Sequence, residues 1–146
     1  MRVMKLKFDT FKAWHSEIVL FAQIIENDLK WIYSYMRAGD PQGNYDALIE
    51  AKITFGQIVH ELQELETHAQ LRFLQDEDYD FLFQMARKRN YWCHRCALDF
   101  VYKPNFLESP EYDETCHKLF VDHERFTEVN ENVEMARIRA SQVYRR

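Results

Sequence analysis

The sequence predicts an all-α protein: an up-and-down bundle of four long helices forming one domain over residues 1–146. Three observations lead there. Only 3 Gly and 3 Pro are present, too few for a β-sandwich or barrel that reverses direction every ~8–12 residues. Apolar residues make up 47% of the chain and aromatics 15%, enough to fill a core and to exclude intrinsic disorder. The apolar positions recur at spacings of three, four and seven, the period of a helix that turns one face inward.

The first helix is expected from Thr10 to about Arg37, its stripe formed by Phe11, Trp14, Ile18, Phe21, Ile25, Ile32 and Tyr35, with Asp28 as an interruption. Ala38-Gly39-Asp40-Pro41-Gln42-Gly43 holds two of the three glycines and reads as the first reversal. A second helix is expected from about Asn44 to Leu71, with Leu48, Phe55, Val59 and Leu62 inward. Asp76-Glu77-Asp78 reads as a helix start, because carboxylates there cap free N–H groups and oppose the macrodipole. The third helix then reaches about Tyr102, its inner face being Tyr79, Leu82, Phe83, Ala86, Cys93, Ala97 and Phe100, and ends at Pro104. Ser109-Pro110 pairs a cap residue with proline at the first helical position. It opens a fourth helix striped by Leu119, Phe126, Val129, Val133, Ala136, Ala140 and Val143. Short connections between four such helices make the up-and-down arrangement the most economical one.

Several function classes are excluded at this level. Three cysteines, Cys93, Cys96 and Cys116, are an odd set with two of them three apart, unlike a disulfide framework. The start of the chain, Met1 to Phe8, is basic without an apolar run behind it, and no run of ~18 apolar residues occurs anywhere, so a soluble cytoplasmic protein with no membrane contact is expected. No phosphate-cradling glycine loop or serine nucleophile elbow is present. The net charge of −5 is uneven: residues 85–105 carry Arg87, Lys88, Arg89, Arg95 and Lys103 against Asp99, a local +4 that leaves −9 on the remainder. A cationic patch on an acidic protein can contact phosphate while the remainder repels nonspecific nucleic acid. Arg137, Arg139, Arg145 and Arg146 read as helix C-terminal charge opposing the macrodipole.

The chemistry concentrates in Arg89-Asn90-Tyr91-Trp92-Cys93-His94. Arginine stays charged and offers a planar fork to phosphate oxygens, whereas histidine takes and gives a proton near neutral pH. Five residues along a straight helix turn the chain by about 140° net, so a bend or helix end between Arg89 and His94 is needed for both to reach one groove. An arginine, an adjacent polar residue and a histidine after a spacer of four resembles the signature of the HEPN superfamily of small all-helical domains, many of them ribonucleases in toxin–antitoxin and phage-defence systems. The resemblance implies a homodimer with facing motifs that cleaves RNA by 2′-hydroxyl attack without a metal ion or other cofactor, leaving a cyclic phosphate. Arg89 and His94 would be catalytic, Asn90 would orient the arginine or a phosphate oxygen, and Arg87, Lys88 and Arg95 would hold flanking RNA. A cognate antitoxin protein would be the partner. The sequence departs from family members paired with a nucleotidyltransferase antitoxin, which often have tyrosine where Cys96 stands, and Arg95 is bulkier than the small residue usual after the histidine.

Three other readings compete. Arg89 and His94 are ordinary surface and half-buried residues if the chain is a non-catalytic helical interaction module, such as an antitoxin, immunity factor or adaptor. Tyr91 and Trp92 are then interface anchors instead of base-stacking platforms. Cys93, Cys96 and Cys116 with a histidine of the His94 or His117 segments offer the donor set of a closed zinc site. Glu114-Thr115-Cys116-His117 is the Glu-x-x-His unit of di-iron bundles, but it has no second copy.

Overall fold

In the computed structural model, which describes residues 4–144, the first helix is close to expectation: α1 spans Phe8–Met36 and buries Phe11, Ile18, Ile25 and Ile32. The second expected helix is two. α2 spans Pro41–Glu50 and α3 spans Phe55–Thr67. The break lies at Lys52, whose φ of 53° is left-handed and cannot continue a right-handed helix. Two residues on, Thr54 caps a new start: its hydroxyl accepts from the Gln57 N–H at 3.2 Å, while the Gln57 side chain accepts from the Thr54 N–H at 2.9 Å.

α4 spans Asp76–His94, eight residues short of the expected Tyr102 end. Residues beyond it form two 3₁₀ turns, Cys96–Asp99 and Phe106–Glu108. Its inner face is also redistributed. Tyr79 and Leu82 are buried as expected, but Phe83, Ala86, Cys93 and Ala97 are exposed, and Phe81, Met85 and Trp92 take their place. α5 spans Pro110–Val143, started by the Ser109 hydroxyl accepting from the Tyr112 N–H at 3.1 Å. Its expected stripe is buried from Leu119 to Ala140, while Val143 is exposed.

The fold is therefore all-helical with five α-helices among the described residues, and the up-and-down four-helix bundle is overturned. Helix polarity shows the consequence. In a four-helix up-and-down chain the first and last helices run antiparallel. Here Phe11 meets Tyr112, Glu17 meets His123 and Asp28 meets Arg137, so α1 and α5 run parallel. The additional reversal at 51–54 permits this. α4 runs antiparallel to α5, since Phe81 packs edge-on against Phe126 with centroids 5.0 Å apart and Lys88 reaches Asp122.

Charge placement follows the same packing. Asp28, the interruption in the α1 stripe, is buried and ion-paired at 3.1 Å to Arg137, which is thus a bridge between helices instead of a terminal charge. Arg139 lies over the Phe73 ring. Arg145, Arg146 and Met1 to Val3 lie outside the described residues. Glu66, at the end of α3, is buried and accepts both the Phe73 N–H at 2.6 Å and the Tyr79 hydroxyl, joining α3 to the start of α4. No described helix is long and apolar enough to cross a membrane.

Candidate nucleic-acid interface

α4 is continuous through His94, so neither a bend nor a helix end separates Arg89 from His94 and the two stay about 140° apart around the axis. Arg89 occupies the inward stripe of the helix, in register with Leu82, Met85 and Trp92. Its guanidinium is drawn to neighbouring helices: Nη1 lies 3.3 Å from Glu26 Oε2 on α1, and the group sits 5.8 Å from the centre of the Phe55 ring on α3. His94, the last residue of α4, is exposed and has neither hydrogen-bond nor ion-pair partner among the described residues. Arg89 and His94 therefore do not meet within one chain.

The other expected residues do come together. Arg87, Lys88, Asn90 and Arg95 line a groove of about 680 Å³ between α4 and α5, with Tyr91 from the same helix and His117, Lys118, Val121 and Asp122 from the facing one. The position of this groove follows from periodicity, because residues 84, 87, 88, 91 and 95 fall within one strip of α4. Toward the start of α4 a cavity of about 180 Å³ shares Lys88, Val121 and Asp122 with it and adds Asp80, Phe81, Gln84 and Arg125. Both lie along the α4–α5 seam. The main groove contains four basic side chains, Arg87, Lys88, Arg95 and Lys118, and the single carboxylate of Asp122.

Asp122 is already engaged. One of its oxygens accepts from Lys88 Nζ at 2.9 Å and the other from the Trp92 indole N–H at 2.8 Å. Lys88 is thereby held against the groove floor, leaving Arg87, Arg95 and Lys118 as the cations without a carboxylate partner among the described residues. Trp92 is buried and cannot serve as a base-stacking platform, whereas Tyr91 is half-buried with its ring in the groove. The Tyr91 hydroxyl donates to Asp99, and burial followed by that hydrogen bond holds the phenol well above its ordinary range. Lys118 Nζ stands 5.4 Å from the centre of the Tyr91 ring. The groove thus combines an aromatic wall, an amide and free cations, groups that can contact phosphate oxygens and stack on a planar ring.

The α5 contribution was missed because Lys118 belongs to no local motif and His117 drew attention only as a metal-ligand candidate. Only the antiparallel register of α4 and α5 brings residue 118 to residue 91. The zinc reading fails on geometry. Cys93 is exposed while Cys96 and Cys116 are buried, and no three His, Cys, Asp or Glu side chains gather in a metal-holding group among the described residues. Burial pushes the Cys96 and Cys116 thiols above their ordinary range, the reverse of what a thiolate ligand needs. No family model, curated protein or solved structure matches the chain.

Proposed function

We propose that the protein is a metal-independent endoribonuclease that seats the backbone of its RNA along the α4–α5 groove. The observation carrying this reading is the concentration of Arg87, Arg95 and Lys118, unpaired by carboxylates, in one groove of a protein whose net charge is −5. Phosphate contacts supply most of the affinity for nucleic acid, and the acidic remainder confines binding to that groove. The Arg-Asn-x-x-x-His segment on the same helix supports RNA cleavage. The exposed, unpartnered His94 is free to face a second copy across a homodimer, and an antitoxin covering the groove is the corresponding regulator.

A non-catalytic RNA-binding module is the second reading. The engagement of Arg89 with Glu26 and Phe55 favours it, since that guanidinium is directed away from the groove.

Two measurements test the proposal. Anisotropy of a labelled single-stranded RNA across a salt series should give a log–log slope of about −2, from three phosphate contacts at ~0.7 each. Arg87→Ala with Arg95→Ala should flatten that slope to below about 1 in magnitude. Cleavage in EDTA, with light scattering to define the oligomer, then separates enzyme from module. A slope unchanged by the double variant sinks the groove assignment.

A further inference from the structure

We infer that a second site, separate from the α4–α5 groove, binds a small amphiphile built of a methylene chain and a single carboxylate. The site is a cavity of about 330 Å³ between the start of α1 and the turn that follows α4, and it shares no lining residue with the groove. Its volume lies at the low end of the range of about 300–1,000 Å³ that small-molecule sites occupy. The floor is buried and aromatic: Phe11 and Phe100 meet edge to face with centroids 5.5 Å apart, and Cys96 completes it. Both rings are held from beneath by Tyr112, at 5.6 Å from Phe11 and 5.2 Å from Phe100. Phe8, Ala97 and Val101 line the same cavity without being buried, so it presents apolar surface to solvent on a floor that packing has already fixed. A chain laid on a preformed floor pays little of the ordering cost that weakens binding to a mobile one.

The charge of the ligand follows from the polar residues of the cavity. Lys12 and Ser16, four apart on one face of α1, both line it and both donate, and no carboxylate is among the lining residues. The Lys12 ammonium stands 5.1 Å from the centre of the Phe8 ring, which keeps it beside the apolar wall. Its pair with Asp9 at 3.3 Å is exposed on both sides and screened by water, so a ligand carboxylate can replace Asp9. The Ser16 hydroxyl has no hydrogen-bond partner among the described residues. Between them His15 is fixed, stacked on Phe11 and donating from Nε2 to the Trp92 carbonyl at 2.5 Å. One permanent cation and one hydroxyl match a monoanionic head. The ring edges of the floor offer no polar partner to an amide or a sugar, whose groups would be stranded there, whereas a methylene chain loses nothing by lying on them.

The test is isothermal titration calorimetry of the full chain with hexanoate, octanoate, octanol and octylamine. Octanoate should bind saturably and about 15-fold tighter than hexanoate, the effect of two further buried methylenes at ~0.8 kcal/mol each. Octanol should bind at least about tenfold more weakly than octanoate, and octylamine should not bind, because the head is read by a cation. Lys12→Ala combined with Ser16→Ala should weaken octanoate at least about tenfold. Ala97→Trp, which fills the cavity from an exposed position, should abolish binding; circular dichroism checks that each variant folds. Leu20→Ser, at an exposed apolar position elsewhere on α1, should change Kd by less than about twofold. No saturable binding of octanoate, octylamine binding as tightly as octanoate, or octanoate binding that survives Ala97→Trp in a folded protein each overturns the inference. Binding lost in Leu20→Ser and kept in Ala97→Trp also overturns it and moves the ligand to the outer face of α1.

Discussion

Asp122→Ala is expected to weaken the fold and tighten RNA binding at the same time. The Asp122 side chain is 14% exposed and accepts from Lys88 and from the indole N–H of Trp92, a residue only 1% exposed. Removing the carboxylate strands that N–H in the interior, at a cost of about 1–3 kcal/mol. Loss of the Lys88 pair adds up to ~1 kcal/mol, since Lys88 is itself 30% exposed and screened by water. A total of about 1–4 kcal/mol corresponds to a Tm lowered by roughly 2–16 °C for a chain of this size. In the groove the same change removes the one carboxylate and releases a cation. RNA affinity should rise, and the salt slope should steepen by about 0.7, one further phosphate contact on a single strand. Asp122→Asn provides the control: its amide oxygen can still accept from Trp92, so most of the stability should return while the tighter binding persists. Urea denaturation and anisotropy on the same preparations measure both effects. Stability of Asp122→Ala within 0.5 kcal/mol of wild type, or weaker RNA binding by a folded Asp122→Asn, would refute the reasoning.

The remaining expectations concern other parts of the molecule. Arg89→Ala should lower stability by about 1 kcal/mol, because its pair with Glu26 and its contact with Phe55 are partly exposed; RNA binding should change less than threefold, whereas a 100-fold loss of cleavage with an intact fold would restore Arg89 to the reaction. Burial raises the Asp28 carboxyl above its ordinary 3.8, with the Arg137 guanidinium opposing. The native state then retains that proton to higher pH than the unfolded chain, so the contribution is complete below the unfolded value and lost as pH rises through the folded one. Wild type should accordingly lose stability relative to Asp28→Asn as the pH rises above about 4 in urea titrations, and a constant difference would contradict this. Among the thiols, a disulfide reagent should label Cys93 rapidly in the native protein and Cys96 and Cys116 only on unfolding, as burial shields both and holds their thiols protonated. Rapid native labelling of all three would contradict their placement.

Helical class, the ends of α1, the start of α4 and the Ser109-Pro110 start of α5 were all legible in the sequence, because helix periodicity and caps act within one or two turns. The boundary between α2 and α3 was not. The apolar stripe from Leu48 to Leu62 continues across it, and only the left-handed backbone at Lys52 followed by the Thr54 cap reveals the reversal. Four of the six candidate site residues are brought together in one groove, since they share a cationic stretch of a single helix. Arg89 and His94 are not, because a linear motif does not specify which side of a helix the neighbouring elements cover. That depends on packing: α1 and α3 claim Arg89 through Glu26 and Phe55, whereas antiparallel α5 brings His117 and Lys118 over α4. The sequence by itself determined an all-helical chain with cations concentrated on one segment, both properties of local composition and period. Tertiary structure alone decided the number of reversals and the parallel pairing of α1 with α5, and it alone decided which imidazole stands among those cations, because each requires contacts between residues far apart along the chain.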